Sequence, residues 1–447
     1  MQLFSKMKNN YKDAQEGKSF SYVFTAVLGL GFFTTAITWA MFNIYVPRYL
    51  DNLLNFQGEK TIIGVLMVLD NIAAITLQPW LGNVSDNIWT KWGRRMPFII
   101  IGIPIAAIFF GLLSTFQEML ILLLVAIGGF NIAMALYRAP VVALMPDLVP
   151  KEFRSRGNAV INLMGGVGAL IGLFVISAVY KVNPNLSFWI VSVIMLLCLV
   201  ALILTIKETK KRVDVEIKEK VKLFDAIKEI FTSKDKSLLF ILLAISSWFF
   251  AFNALETWFS TYAAYHLNMA VADASMLLGI LSLTFILAAI PAGLMAKKID
   301  RRKMIIMGII GLSIVLIPIV FFSLFPISVL QEFITFLPFK WTWEIIIVGM
   351  MLFLGGIFWA MINVNSIVIV WEMAGTKKLG TLTGLYYFFV ATAAILSPVI
   401  AGALWDLIGV KYLFLYSIVF LAIALVFMLF VKTTGKEGKA SSREVSG

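Results

Sequence analysis

Gly82-Asn83-Val84-Ser85-Asp86-Asn87-Ile88-Trp89-Thr90-Lys91-Trp92-Gly93-Arg94-Arg95-Met96-Pro97-Phe98 is a short basic turn between two long apolar runs, 61–82 and 97–116. Each run is about long enough to cross a hydrocarbon core of about 30 Å at about 1.5 Å per helical residue. Short cytoplasmic loops accumulate Lys and Arg, so Lys91, Arg94 and Arg95 mark the cytoplasmic side. Asp86 closes one helix and Gly93-Arg94-Arg95 opens the next. A carboxylate facing two guanidiniums across adjoining helix ends can latch them together and release them. Gly82, Asp86, Gly93, Arg94 and Arg95 are therefore candidate gate residues.

The composition agrees with a membrane protein. Of 447 residues, 60% are hydrophobic and 14% charged, whereas about a quarter of a soluble domain is charged. The net charge of +12 would suit nucleic acid in another context. Here the basic residues concentrate in loops placed inside, so topology accounts for them and no nucleic-acid partner is expected. The one cysteine, Cys198, lies in an apolar run and excludes an intramolecular disulfide. The one histidine, His266, excludes a multi-histidine metal site, and no cofactor is expected. Lys6, Lys8, Lys12 and Lys18 precede an apolar stretch too long for a signal peptide, which predicts a retained anchor.

Windows of about twenty apolar residues fall at 20–46, 61–82, 97–116, 119–146, 158–180, 186–206, 238–264, 274–296, 304–325, 344–371, 381–405 and 411–432. These twelve spans predict an all-α membrane protein with both termini cytoplasmic. Of the 37 Lys and Arg residues, Arg48, Lys60, Lys181, Lys340 and Lys411 then fall outside, Arg138 falls within a span, and the remainder fall inside. The expected organisation is a six-helix half over 1–206, a linker over 207–237, a second six-helix half over 238–432 and a cytoplasmic tail over 433–447. Val221, Leu223, Phe224, Ile227, Ile230 and Phe231 recur in the linker at helical spacing, which predicts a short amphipathic helix at the inner surface.

The halves repeat. Gly128-Gly129 with Ala133-Met134 in span four matches Gly355-Gly356 with Ala360-Met361 in span ten at one constant offset. Each of these spans leads to a cytoplasmic acid, Asp147 or Glu372, and then to a glycine, Gly157 or Gly380. Asp147 joins the gate candidates. The basic turn recurs after span eight as Lys297-Lys298-Ile299-Asp300-Arg301-Arg302-Lys303, with Lys297 where Asp86 would stand. Duplicated halves suit alternating access to a site near the midplane.

Ionisable groups within a bilayer are costly and functional by default. Asp70, Arg138 and Glu256 stand clearly within spans. Asp70 and Glu256 are candidates for cation or proton coupling. Arg138, whose sister position is Asn365, is a candidate substrate ligand. Asn43, Gln78, Asn131 and Asn363 join it, because each amide both donates and accepts as a sugar hydroxyl does. Trp39 and Trp359 offer aromatic faces for a pyranose ring. Asp70 lies roughly 13 Å and Arg138 roughly 28 Å from the outer surface at 1.5 Å per residue, too far apart for a direct ion pair. Asp70, Asn131 and Glu256 lie at more similar depths.

The string Gln78 through Phe98 resembles the loop between the second and third helices of major facilitator transporters. Its fuller form resembles the plant sucrose–proton symporters and their bacterial relatives, the glycoside–pentoside–hexuronide-like sugar symporters. Tyr137-Arg138-Ala139-Pro140-Val141-Val142-Ala143-Leu144-Met145-Pro146-Asp147-Leu148 extends the resemblance. It implies the twelve-helix major facilitator fold and import of a sugar or glycoside, a disaccharide for preference, by proton-coupled symport. The sequence departs from that pattern at two positions. Asn131 stands where the resemblance implies a proton-accepting aspartate, and Val142 where it implies an arginine. Arg138 lies one helical turn from Val142, and Asp70 is the substitute proton carrier with Glu256 next.

The rivals are a sodium-coupled melibiose-type symporter, which an acid in span two suits, and a proton-coupled exporter. Span five is glycine-rich over Gly165-Gly166-Val167-Gly168 but lacks the Gly-Pro pair of exporters. A membrane enzyme would need a catalytic set that one His, one buried Cys and scattered carboxylates do not supply. A sensor would carry a larger output domain. The expected surroundings are the plasma (cytoplasmic) membrane, with a monomer taking a small-molecule sugar and no metal.

Overall fold

A computed structural model of the chain describes residues 20–54, 56, 58–208, 230, 232, 235–296, 298–325, 333–336, 339–374 and 379–432. The amphipathic linker helix, the tail, the amino-terminal lysines and Lys297 lie outside them, apart from isolated linker positions.

Twelve helices among the described residues are long and apolar enough to span a membrane: α1 Tyr22–Leu53, α2 Glu59–Asn87, α3 Met96–Thr115, α4 Leu120–Leu148, α5 Arg156–Val182, α6 Pro184–Thr205, α7 Ser237–His266, α8 Val271–Met295, α9 Arg301–Leu324, α10 Trp343–Met373, α11 Leu382–Ile408 and α12 Val410–Phe430. Each corresponds to one predicted apolar run. Several outrun it, because polar flanks continue the helix beyond the hydrocarbon. Pro47 sits inside α1, which continues to Leu53 before the chain turns extended at Leu54. Side-chain caps set other ends. Ser21 Oγ accepts from the Phe24 amide at 3.4 Å, and Asn183 accepts from Leu186 at 3.0 Å ahead of Pro184. Asp300 accepts from Lys303 at 3.2 Å. These bonds occupy amides that a helix start leaves free. A two-stranded antiparallel hairpin, β1 Phe333–Phe336 with β2 Phe339–Thr342, precedes α10 and pairs Phe333 with Thr342.

By chain contacts there are two compact units. The first is Met1–Glu216 with Asn268–Gly279, and the second is Ile217–Leu267 with Ile280–Gly447. In the first, α1 packs on α5 and α6, α3 on α4 and α6, and α2 on α4. In the second, α7 packs on α11 and α12, and α9 on α10 and α12. Four of these five pairings, all but α2 on α4, recur with each helix number raised by six. This is the packing expected of the duplication that the Gly-Gly…Ala-Met repeat suggests.

The first unit captures the opening turns of α8, which a simple split at the linker would place with the second. A π-helical segment, Ile171–Ile176, interrupts α5. Ser275 on α8 donates to the Leu173 carbonyl at 3.2 Å. Ser177 donates to Ser275 at 2.6 Å and itself accepts from the Tyr45 hydroxyl at 2.9 Å. Lys181 bonds Asp273. Close approach of α1 and α5 depends on glycine, since a Cβ at Gly168 would lie 2.6 Å from the Phe33 carbonyl oxygen.

Candidate functional site

The basic turn folds as a compact ion cluster within the first unit. Thr90 and Gly93 pair backbone to backbone, with amide–carbonyl distances of 2.9 and 3.1 Å. Gly93 takes a φ of +106°, a conformation that glycine alone adopts cheaply. Arg94 and Arg95 are thereby turned toward one carboxylate. Arg94 Nε lies 3.1 Å from Asp147 Oδ2, and Arg94 Nη2 bonds Oδ1. Arg95 Nε lies 2.9 Å from Asp147 Oδ2, while its other nitrogens bond Asp86 and Ser85 and approach the Gly82 carbonyl. The Arg95 and Asp147 side chains are 6% and 13% exposed, against 51% for Asp86. Asp147, at the end of α4, is therefore the central acid, and Asp86 is a peripheral one.

A third carboxylate closes the cluster. Glu208, just past α6, accepts from the amides of Arg94 at 2.9 Å, Arg95 at 2.9 Å and Met96 at 2.8 Å. The amides opening α3 have no partners within their own helix, and the helix dipole favours an anion there. A side chain at Gly93 would collide with Glu208, whose Cβ would lie 2.5 Å from the added carbon. Sequence reading missed Glu208 and Ser85. Glu208 stands among Lys207, Lys210 and Lys211 and gives no local signal of a distant partner.

The second unit holds a counterpart. Arg301, opening α9, places Nε 2.6 Å from Glu372 Oε1 and Nη1 3.0 Å from Asn365 Oδ1. Arg302 donates to the Met428 and Leu429 carbonyls at the end of α12. The second turn thus keeps a partner equivalent to Asp147 although Lys297 replaces the first acid. Asn365 is fully buried, and its Nδ2 donates to the Met361 carbonyl at 2.8 Å. Both ends of the Asn365 amide are therefore engaged within the second unit. The seven-residue spacing from Asn365 to Glu372, two helical turns on one face, was the available signal.

Arg138 has a different setting. Both oxygens of Asp147 are taken by Arg94 and Arg95, and Arg138 forms no ion pair with a described residue. Its guanidinium lies 6.0 Å from the centre of the Trp39 ring, within reach of a cation–π attraction. Phe42 and Phe130 meet Trp39 edge-on at 5.2 and 5.6 Å. Asn131 lies two turns before Arg138 on α4 and is 5% exposed. Neither its Oδ1 nor its Nδ2 has a hydrogen-bond partner among the described residues, and the same holds for Trp39 Nε1. A buried amide without partners costs about 1–3 kcal/mol. α4 thus carries an arginine facing Trp39 of α1 and, two turns before it, a buried unsatisfied amide.

The remaining candidates scatter. Asp70 is half-buried in the first turn after a break in α2 at Val68, where ψ is 0°. Gln78 and Asn43 are half-buried in the same unit. Glu256 and Asn363 are half-buried in the second unit. Trp359 is 4% exposed and stacks face to face on Phe252, with ring centres 4.4 Å apart. That contact occupies one of the faces proposed for a sugar. Tyr45, Trp258, Tyr262, Trp371 and Tyr386 all have protein hydrogen-bond partners.

Residues 28–352 match the model of the Major Facilitator Superfamily. The chain belongs to that superfamily. Its fold is shared with solved major facilitator structures at low identity. A bacterial homolog of the human lysosomal transporter Spinster superposes with a TM-score of 0.69 at 13% identity, over 92% of this chain and 97% of that one. The nucleoside transporter NupG gives 0.66 at 15% identity, over 91% and 98%. Among curated proteins, a lactose permease of Lactobacillus helveticus is 38% identical over 69 residues, 15% of this chain and 11% of that protein. A sucrose transport protein of Arabidopsis thaliana is 25% identical over 189 residues, 37% of this chain and 31% of that protein. The matched segments thus span about a tenth and a third of those relatives. As a major facilitator protein the chain is a multi-pass transporter of small molecules and not an enzyme.

Proposed function

We propose that this transporter imports a sugar or glycoside, a disaccharide for preference, by cation symport, with protons as the coupling ion. Both termini are taken as cytoplasmic, in the cytoplasmic membrane, with the protein acting as a monomer. The observation that carries the reading is the partnerless amide of Asn131, two turns along α4 from an Arg138 that faces Trp39. Such a face offers donors, an acceptor and an aromatic plane where lipid could satisfy none of them. A sugar matches it, since each hydroxyl donates and accepts while the ring's C–H face suits an indole. The partial likenesses to a lactose permease and a sucrose transport protein support the same substrate class.

Asp70 is proposed to carry the coupling cation, with Glu256 next. The break in α2 directly before Asp70 keeps a sodium-coupled alternative open, because loosened backbone carbonyls together with a carboxylate can ligate Na⁺. Binding is tested on purified protein by isothermal titration against a panel of mono- and disaccharides. A disaccharide should bind the wild type and bind Asn131→Ala about tenfold more weakly, the scale of one hydrogen bond. Equal affinity in Asn131→Ala would remove α4 from the sugar site.

A further inference from the structure

The chain's one histidine lies outside both sites. His266 ends α7, and Glu344 lies in the first turn of α10, both within the second unit. Their side chains are 18% and 8% exposed, with His266 Nε2 3.7 Å from Glu344 Oε1. The imidazole tilts over the Tyr262 ring at 5.2 Å, and Tyr262 is held by Ser323 at 2.6 Å. Thr342 Oγ1 accepts from the Ile345 amide at 3.3 Å and so fixes the turn that carries Glu344.

Nε2 is buried without a hydrogen-bond partner among the described residues and lies next to the Glu344 carboxylate, which when ionised carries only lone pairs. One added proton turns this opposed pair into a charge-assisted hydrogen bond. Both helix ends favour the protonated arrangement, a cation at the carboxyl end of α7 and an anion at the amino end of α10. Among the described residues, the other titratable groups facing the pair are Tyr262 on α7 and the exposed Lys411 ahead of α12. Lys411 opposes a second positive charge.

We propose that His266 and Glu344 form a proton-binding site that takes up one shared proton and ties the end of α7 to the start of α10. In the orientation proposed above this site is on the outer face, so it reads outer pH. It is separate from the coupling carboxylate Asp70.

A single histidine makes the test direct. Protein labelled with ¹³C in the imidazole ring should give one histidine resonance that titrates between pH 4 and 9. Its midpoint should fall by about one pH unit in Glu344→Gln, the scale of losing an opposite charge within hydrogen-bonding reach. It should rise in Lys411→Gln, a surface change that preserves the fold if Glu344→Gln does not. The same midpoint in all three proteins, or no titration, would overturn the site. In proteoliposomes, the profile of uptake rate against outer pH should contain a step at the midpoint of the histidine resonance, displaced in Lys411→Gln as that resonance is and absent in His266→Gln, while the dependence that Asp70 imposes stays. A profile unchanged in His266→Gln would overturn the link to transport. A step that follows lumenal pH instead would overturn the orientation while leaving the pair intact.

Discussion

Asp147→Asn should release the cluster beneath the first unit. Two guanidiniums converge on this one carboxylate, with Arg94 Nε at 3.1 Å and Arg95 Nε at 2.9 Å. Removing one partner of a fully buried ion pair costs about 3–5 kcal/mol. Here the carboxylate is 13% exposed, Asp86 remains on Arg95, and the substituted amide still offers one acceptor oxygen. Those three facts lower the loss to about 2 kcal/mol. Such a loss is about a 30-fold change in the ratio of latched to released molecules. The cluster joins α2, α3, α4 and the segment after α6, all on the same side, so its effect should fall on interconversion and not on sugar contacts. Initial rates of sugar exchange at saturating and at subsaturating concentrations separate the two. Asp147→Asn should lower the maximal rate at least tenfold and leave the half-saturating concentration within a few fold. Glu208→Gln should have a smaller effect in the same direction, because a neutral amide oxygen can still accept from the α3 amides. A normal maximal rate with weakened affinity in Asp147→Asn would refute the latch and make this cluster part of the binding site.

Other outcomes follow from the same geometry. Arg138→Lys should weaken sugar binding at least tenfold, since a point-like ammonium cannot reproduce a planar fork set over Trp39, and equilibrium binding reads this directly. Asn131→Ala should raise the thermal unfolding midpoint or leave it in place, and not lower it, because no hydrogen bond within the protein is lost and a buried unsatisfied amide is removed. Asp70→Asn should abolish gradient-driven accumulation yet preserve sugar exchange, and accumulation lost instead in Glu256→Gln would transfer the coupling role. Gly168→Val should lower the unfolding midpoint by several degrees, because its Cβ would lie 2.6 Å from the Phe33 carbonyl oxygen.

Helices were legible in the sequence because an apolar run of membrane length has one stable outcome in a bilayer. The duplicated packing was foreshadowed by Gly128-Gly129 and Gly355-Gly356. The end of α1 was not, since Pro47 marks a helix end in water and is tolerated within a packed membrane helix. The contact of Asp86 with the arginines of the basic turn was legible, but the order of its acids was not. Asp86 adjoins the arginines in sequence, whereas Asp147 and Glu208 reach them only through tertiary folding. Asn365 shows the limit of pseudo-symmetry. Its alignment with Arg138 is sound in register, but Arg301 claims its amide from the start of another helix, and no pattern within α10 reports the length of that arginine's reach. Arg138 and Asn131 each stand out as candidates in the sequence, but the seven-residue spacing that sets them on one face of α4 was not read, since depth groups Asn131 with Asp70 and Glu256.

The central claim is sugar import driven by a cation gradient. Proteoliposomes holding the wild-type protein should accumulate a radiolabelled disaccharide above the external concentration when a proton gradient, acid outside, is imposed. Accumulation should collapse with a protonophore and be absent in Asp70→Asn. Accumulation only under an inward sodium gradient would contradict proton coupling, and failure of every sugar to accumulate under either gradient would contradict the account.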